Sequence, residues 1–320
     1  MPDSSIAPAL RSSARRFASA LGRATKRAGD AILGRVFVAL FRGIRRIDRR
    51  PMARFAAAVT RRVGPLLKED RIARENLIAA FPEKSPAEIE QITAGAWDNL
   101  GRIAAEFAHI DRLHILDPDR PGAEDIIYDQ HTYDLFHELR LDGKPGLIFT
   151  SHLANWELSA YVAASYKLHL HVLYRRPNLR AVDAAVRQMR SGTMGTLVAT
   201  GLDAPVKLLR VLEDRGHVAM LVDQYFVNGV DVNFFGRTCK ANPLIAQLAR
   251  HVECPIHGAR MVRLPDRNRF RIDLTDAIAP ARDSQGKVDV RGTMQVITSV
   301  VEGWVREHPE QWLWMHRRWR

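Results

Sequence analysis

The chain has 320 residues, 46% hydrophobic and 26% charged, with two cysteines and a net charge of +12. That is enough apolar material for a sizeable core, and it excludes a disulfide framework: Cys239 and Cys254 fit a reducing compartment, and no C-x-x-C or zinc-finger spacing occurs. Residues 1–62 hold fifteen Lys or Arg against three Asp, an excess equal to the whole net charge. A basic arm joined to a neutral globule points to an anionic surface, membrane or nucleic acid.

No proline interrupts the chain between Pro8 and Pro51. Ile32, Leu33, Val36, Phe37, Leu40, Phe41, Ile44 and Ile47 recur at spacings of three and four and fill one half of a helical wheel, with Arg35, Arg42, Arg45, Arg46 and Arg49 opposite. The uncharged stretch is far shorter than the roughly 20 residues of a membrane span. The pattern reads as a helix lying in the headgroup plane; the competing reading packs its apolar face on the protein's own core. Arg15-Arg16-Phe17 is only faintly like a twin-arginine signal, since Arg23, Lys26 and Arg27 interrupt the stretch where an apolar core would stand. We divide the chain into a basic anchoring arm, residues 1–70, and a globular domain, residues 71–320.

From Arg71 the elements become regular. "DRIARENLIAAF" is a helix ended by Phe81-Pro82. In the next helix Ser85, Pro86 and Glu88 form a capping box with proline at the first helical position. Asp125–Asp129 is a short strand, 131–141 a helix, and Asp142–Gly146 a turn cluster before the buried strand "GLIFTS". Strands at 168–174, 195–200 and 217–224 then alternate with helices at 179–190, 204–214 and 242–251. The 225–241 stretch is read as a loop. "PIHGARMVRL" and "RFRIDLTDAI" are consecutive strands, and 290–307 is a helix. This order predicts an α/β fold with a mixed, mostly parallel sheet flanked by helices and an antiparallel pair late in the chain. His169-Leu170-His171 reads as alternation within a strand rather than as a metal pair.

"TSHLANWELS" follows the strand "GLIFTS", where ligands of open α/β sheets collect. His152 there could act as a base. A helix starting near Leu153 would keep its imidazole neutral, and Glu157 could hold the second ring nitrogen. That pairing requires His152 at or before the helix cap, because residues five apart share a helical face poorly. No serine or cysteine is placed as a nucleophile and there is no G-x-S-x-G, so the substrate would supply the attacking hydroxyl. From the residues alone, a structural histidine is an equal reading.

Seven blocks, "RIARENLIAAFPEKS", "WDNLGR", "GLIFTSHLANWEL", "YRRPN", "LVDQ", "FFGR" and "PEQWLWMHRRW", stand in an order that resembles the lipid A late acyltransferases, within the wider H-x4-D/E glycerolipid acyltransferases. The resemblance spans residues 71–320 and implies acyl transfer from acyl carrier protein, or acyl-CoA, to a hydroxyl of a lipid A precursor. The reaction would sit at the cytoplasmic face of the inner membrane, with the protein peripheral or monotopic. His152 and Glu157 match the family's histidine and acid. Arg190 matches a downstream arginine, with Arg187 as a rival. Asp223 matches an aspartate after the next strand. "YRRPN" carries one residue more than the simpler pattern, which leaves open whether Arg175 or Arg176 faces the site. A backbone N–H near Asn155, or an arginine, would stabilise the oxyanion, while Arg175 and Arg190 would grip phosphates. No metal or redox cofactor is required.

Phe234-Phe235 could line an acyl pocket, although core packing is the commoner role of such pairs. "QWLWMHRRWR" suits a membrane interface or an acidic carrier protein. Stacking on nucleic acid is the rival use, but no nucleic-acid module is present, so none is expected as a partner. The alternatives are the same chemistry on another glycolipid, aminolipid or lysophospholipid, or a basic membrane-binding protein without activity.

Overall fold

A computed structural model describes residues 38–117, 124–176 and 192–319, with residues 29, 34–36, 122, 183 and 190. The arm's Ile32, Leu33 and Phe37, most of the predicted helix 179–190, and Arg187 lie outside the described residues.

Residues 38–44 are helical, and helix α1 runs from Arg49 to Val63, capped by the Asp48 side chain. Helix α2 (Lys68–Ala80) follows, and then α3 (Pro86–Glu106), whose Ser85–Glu88 capping box forms as the sequence predicts. α1 lies against α3: Ala53 and Ala57 are buried, and the Thr60 hydroxyl donates to the Trp97 carbonyl at 2.7 Å. The close approach depends on Gly101, because a Cβ there would strike the Thr60 hydroxyl and the Ala56 carbonyl. Two arginines pin the segment's front end. Arg45 makes a two-pronged pair with Asp111 at 2.8 Å, and Arg49 pairs with the buried Asp125. The second half of the basic segment is thus packed on the protein. Phe55, Val59 and Val63, four residues apart along α1, face outward with Leu66.

The sheet is built from β1 (Ile126–Ile127), β2 (Gly146–Thr150), β3 (Leu170–Tyr174), β4 (Thr196–Ala199), β5 (His217–Leu221), β8 (Ile256–Arg263) and β9 (Phe270–Leu274). Its order is β1-β9-β8-β2-β5-β3-β4. Every neighbouring pair is parallel except β8 with β9. The mostly parallel sheet with one late antiparallel pair therefore agrees with the sequence reading. A separate hairpin, β6 (Tyr225–Phe234) with β7 (Arg237–Ala241), forms where a loop was expected. Val230, Val232 and Phe234 do alternate with Asp231 and Asn233, but the exposed Phe226–Asn228 stretch, Gly229 and a register shift break up the first half of β6.

Period-two alternation gives the central strands two buried faces. Leu147, Phe149, Val218 and Met220 point into one core with helices α7 (Leu244–His251) and α8 (Val290–Glu307), where Phe149 stacks on Trp304 at 5.5 Å. Ile148 and Ala219 point into the other, with α4 (Gln130–Leu141) and α5 (Glu157–Ser165). Helix α6 (Ala204–Glu213) completes the first layer. Among the described residues no helix is long and apolar enough to cross a membrane.

Gly101→Val should separate α1 from α3 and cost about 1–3 kcal/mol in urea unfolding. Unchanged stability would mean that α1 does not dock in solution.

Candidate active site

β2 delivers the chain into residues 151–156, which do not become helix. The helix expected near Leu153 starts at Glu157 instead. Ala154 takes a left-handed backbone, φ +46°, and two of the loop's main-chain groups bond to the C-terminal segment. Leu313 N–H donates to the His152 carbonyl at 3.1 Å, and Ala154 N–H donates to the Gln311 carbonyl at 2.9 Å. Asn99 Nδ2 donates to the Ala154 carbonyl at 3.3 Å.

Beneath the loop lies a buried charge pair. Arg263, the last residue of β8, is bidentate to Glu106, the last residue of α3, at 2.5 and 3.0 Å. Asn155 Nδ2 donates to the same carboxylate at 3.0 Å, and Arg263 Nε donates to Asn99 Oδ1 at 3.0 Å. A buried pair of this kind adds little net stability, yet breaking it by removing one partner costs about 3–5 kcal/mol. It therefore holds one arrangement of the loop.

The carboxylate facing His152 is Asp223, not Glu157. Asp223 Oδ1 is 2.7 Å from His152 Nδ1, and Oδ2 accepts the His152 backbone N–H at 2.7 Å and the Trp312 indole N–H at 2.8 Å. Burial alone drives the Asp223 carboxyl up, but the His152 ring and backbone N–H outweigh it and hold it well below the usual carboxylate range. The predicted His152–Glu157 pairing fails for a geometric reason. Glu157 is the first residue of α5, and its carboxylate turns instead to Arg190, with which it is paired. The Trp156 ring packs edge-on against the imidazole at 4.8 Å.

A cavity of about 630 Å³ opens beside His152 and runs beneath the sheet. Ile148, Val172, Ala219 and Ala259 line its sheet side, Ala160 and Ala163 of α5 its other wall, and Phe136 and Leu139 of α4 its far end. Glu157, Arg175 and Arg190 line it as well. Arg175 and Arg176 are both exposed, and Arg175 is the arginine of "YRRPN" that lines the cavity. The Arg190 guanidinium also lies over the Phe107 ring at 5.5 Å. Asp223 and Asn155, expected to contact substrate, are buried behind the loop with their side chains on His152 and Glu106.

Of the two readings of Phe234-Phe235, core packing holds, and one further expectation, the tail's, is corrected. Phe234 and Phe235 are core residues, packed with Trp312, Trp314, Trp319 and Phe81, and do not form the acyl pocket. The tail read as a membrane interface is largely interior: Trp312 and Trp314 are 1% and 0% exposed. The Arg318 side chain is buried too, donating to the carbonyls of Gln224 and Lys240 at 3.3 and 2.7 Å.

Residues 23–320 match the family described as bacterial lipid A biosynthesis acyltransferase. The chain belongs to this family. No curated protein matches it significantly. Membership makes the chain an acyltransferase of lipid A-like substrates.

Several groups around the site of this acyltransferase were not singled out from sequence: Trp312, Gln224, Trp156, and the Glu106–Arg263 pair. Trp312 and Gln224 stand inside two of the seven blocks, Gln224 directly after Asp223, so adjacency was an available signal. Glu106 and Arg263 end a helix and a strand 157 residues apart, and no local pattern joins them.

The depressed Asp223 pKa stabilises the fold above the ordinary carboxylate range, and this contribution is lost as pH falls through the folded value. Asp223→Asn should therefore melt several degrees below the wild type at pH 7, with the gap closing in acid. No gap at pH 7, or a gap already closed at pH 4, would contradict the pairing.

Proposed function

We propose that this protein transfers a fatty acyl chain from an acyl carrier protein thioester, or acyl-CoA, to a hydroxyl of a lipid A precursor at the cytoplasmic face of the inner membrane, with His152 as the base. One observation carries the reading: an imidazole fixed on one nitrogen by a buried carboxylate lines a largely apolar cavity of about 630 Å³.

Asp223 holds the proton on Nδ1, which leaves the Nε2 lone pair to take the hydroxyl proton. The acceptor oxygen then attacks the thioester carbonyl. As the tetrahedral intermediate collapses, the C–S bond breaks and Nε2 returns the proton to the leaving thiolate. The acyl chain lies in the cavity among Ile148, Val172, Ala163 and Leu139. Arg175 and Arg190 at the same cavity meet phosphate of the glycolipid or of the donor's prosthetic arm. Glu157 holds the Arg190 guanidinium in place, a different task from the one expected of it.

His152→Ala should lower transfer of a labelled acyl chain to lipid extracts by 10²-fold or more, on the order expected for a general base. Transfer at the wild-type rate would end this reading. Lipid A from a deletion strain should change by one acyl chain in mass spectrometry. An unchanged lipid A, with transfer intact in vitro, would move the acceptor to another lipid.

The exposed stripe of Phe55 (66%), Val59, Val63 and Leu66 (83%) is flanked by the exposed Arg54, Arg61 and Arg62. Apolar residues bordered by arginine suit an anionic bilayer surface, which supports peripheral attachment through α1 in addition to the preceding helix. Phe55→Ser combined with Leu66→Ser should reduce sedimentation with phosphatidylglycerol vesicles several-fold while leaving the melting temperature unchanged. Equal sedimentation would remove this face from the membrane contact.

A further inference from the structure

Gln224 leaves the sheet directly after Asp223, and its side chain turns back over His152. The amide Nε2 stands 3.1 Å from His152 Nε2. The direction of this bond is set by the other side of the ring. A carboxylate only accepts, so the 2.7 Å contact with Asp223 places a proton on Nδ1. In the neutral ring Nε2 is then a lone pair, and it is the amide nitrogen that donates to it. The same lone pair must take the proton of any attacking hydroxyl.

The setting of Gln224 separates a fixed backbone from a displaceable side chain. Its carbonyl accepts from the buried Arg318 guanidinium, which also holds Lys240 of β7. The residue itself is exposed and lines the cavity beside Tyr225 and Phe226. The amide therefore sits at the mouth, on the solvent side of the base, where it can swing away without disturbing the strand.

We propose that Gln224 is a gate on the base: its amide occupies the place at His152 Nε2 that the acceptor hydroxyl takes. This rests on the assignment of His152 as base. A thioester bound in the cavity without acceptor is open to water. In that side reaction water gives a proton to Nε2, its oxygen bonds to the acyl carbon, the C–S bond breaks, and the thiolate receives the proton. Water has to displace the amide with no other contact to help it. An acceptor hydroxyl is delivered by the rest of the glycolipid, whose binding offsets the lost hydrogen bond. Gln224 thereby favours the lipid over water.

The test uses the full chain and a dodecanoyl thioester, of carrier protein or of CoA, whichever the wild type accepts. Thiol release without acceptor is measured against acyl transfer with it. Gln224→Met keeps the length and removes the donor; Gln224→Asn keeps the amide and withdraws it by one methylene. Both should raise the ratio of hydrolysis to transfer by about tenfold, the worth of one hydrogen bond. An unchanged ratio, or a proportional fall in both reactions, would overturn the gate. The His152→Ala protein separates the two failures: if it still transfers acyl chains, the base itself is misassigned.

Discussion

The site depends on a loop that is denied a helix. Residues 151–156 join a parallel strand to a helix, a junction at which main-chain groups ordinarily begin helical pairing. Here they bond to the C-terminal segment, to Asn99 and to Asp223 instead. Buried main-chain groups need partners, so the loop's shape is fixed by what lies against it. Trp312 contributes twice: its backbone bridges Leu153 and its indole binds the carboxylate that orients His152. The Glu106–Arg263 pair holds the nearby Asn155 by its side chain. The imidazole is thus positioned from three sides by elements distant in sequence.

The cavity has an equally simple origin in side-chain size. In register across the sheet, Ile148, Ala219 and Val172 share one face, and α5 opposes them with Ala160 and Ala163. Interiors are normally filled to crystal-like density. Alanine on both sides of a helix–sheet interface leaves a slot that the protein does not fill itself. On the other face Phe149 and Trp304 stack, and large residues close the space. One sheet therefore carries a packed structural layer and an open one, and His152 stands over the open one.

The fold was legible because its signals are local. Alternating apolar runs, the Ser85–Glu88 capping box and the run of strand and helix segments specify an α/β sheet without knowledge of its contacts. His152 was legible from its place after a buried strand. Its partner was not, because the choice between Glu157 and Asp223 rests on where a helix begins, and that is decided by residues near 312. The same cause explains the tail: tryptophan and arginine are as compatible with a bilayer surface as with an aromatic core, and only the packing of Trp312, Trp314 and Arg318 distinguishes them. The β6–β7 hairpin escaped although Val230, Val232 and Phe234 alternate with Asp231 and Asn233, because the exposed Phe226–Asn228 stretch and Gly229 just before them read as loop.

The brace formed by Leu313 on the His152 carbonyl joins positions roughly 160 residues apart. Closing so long a span costs chain entropy that the finished contacts must offset. The geometry around His152 is therefore complete only once residues 311–313 are in place against it.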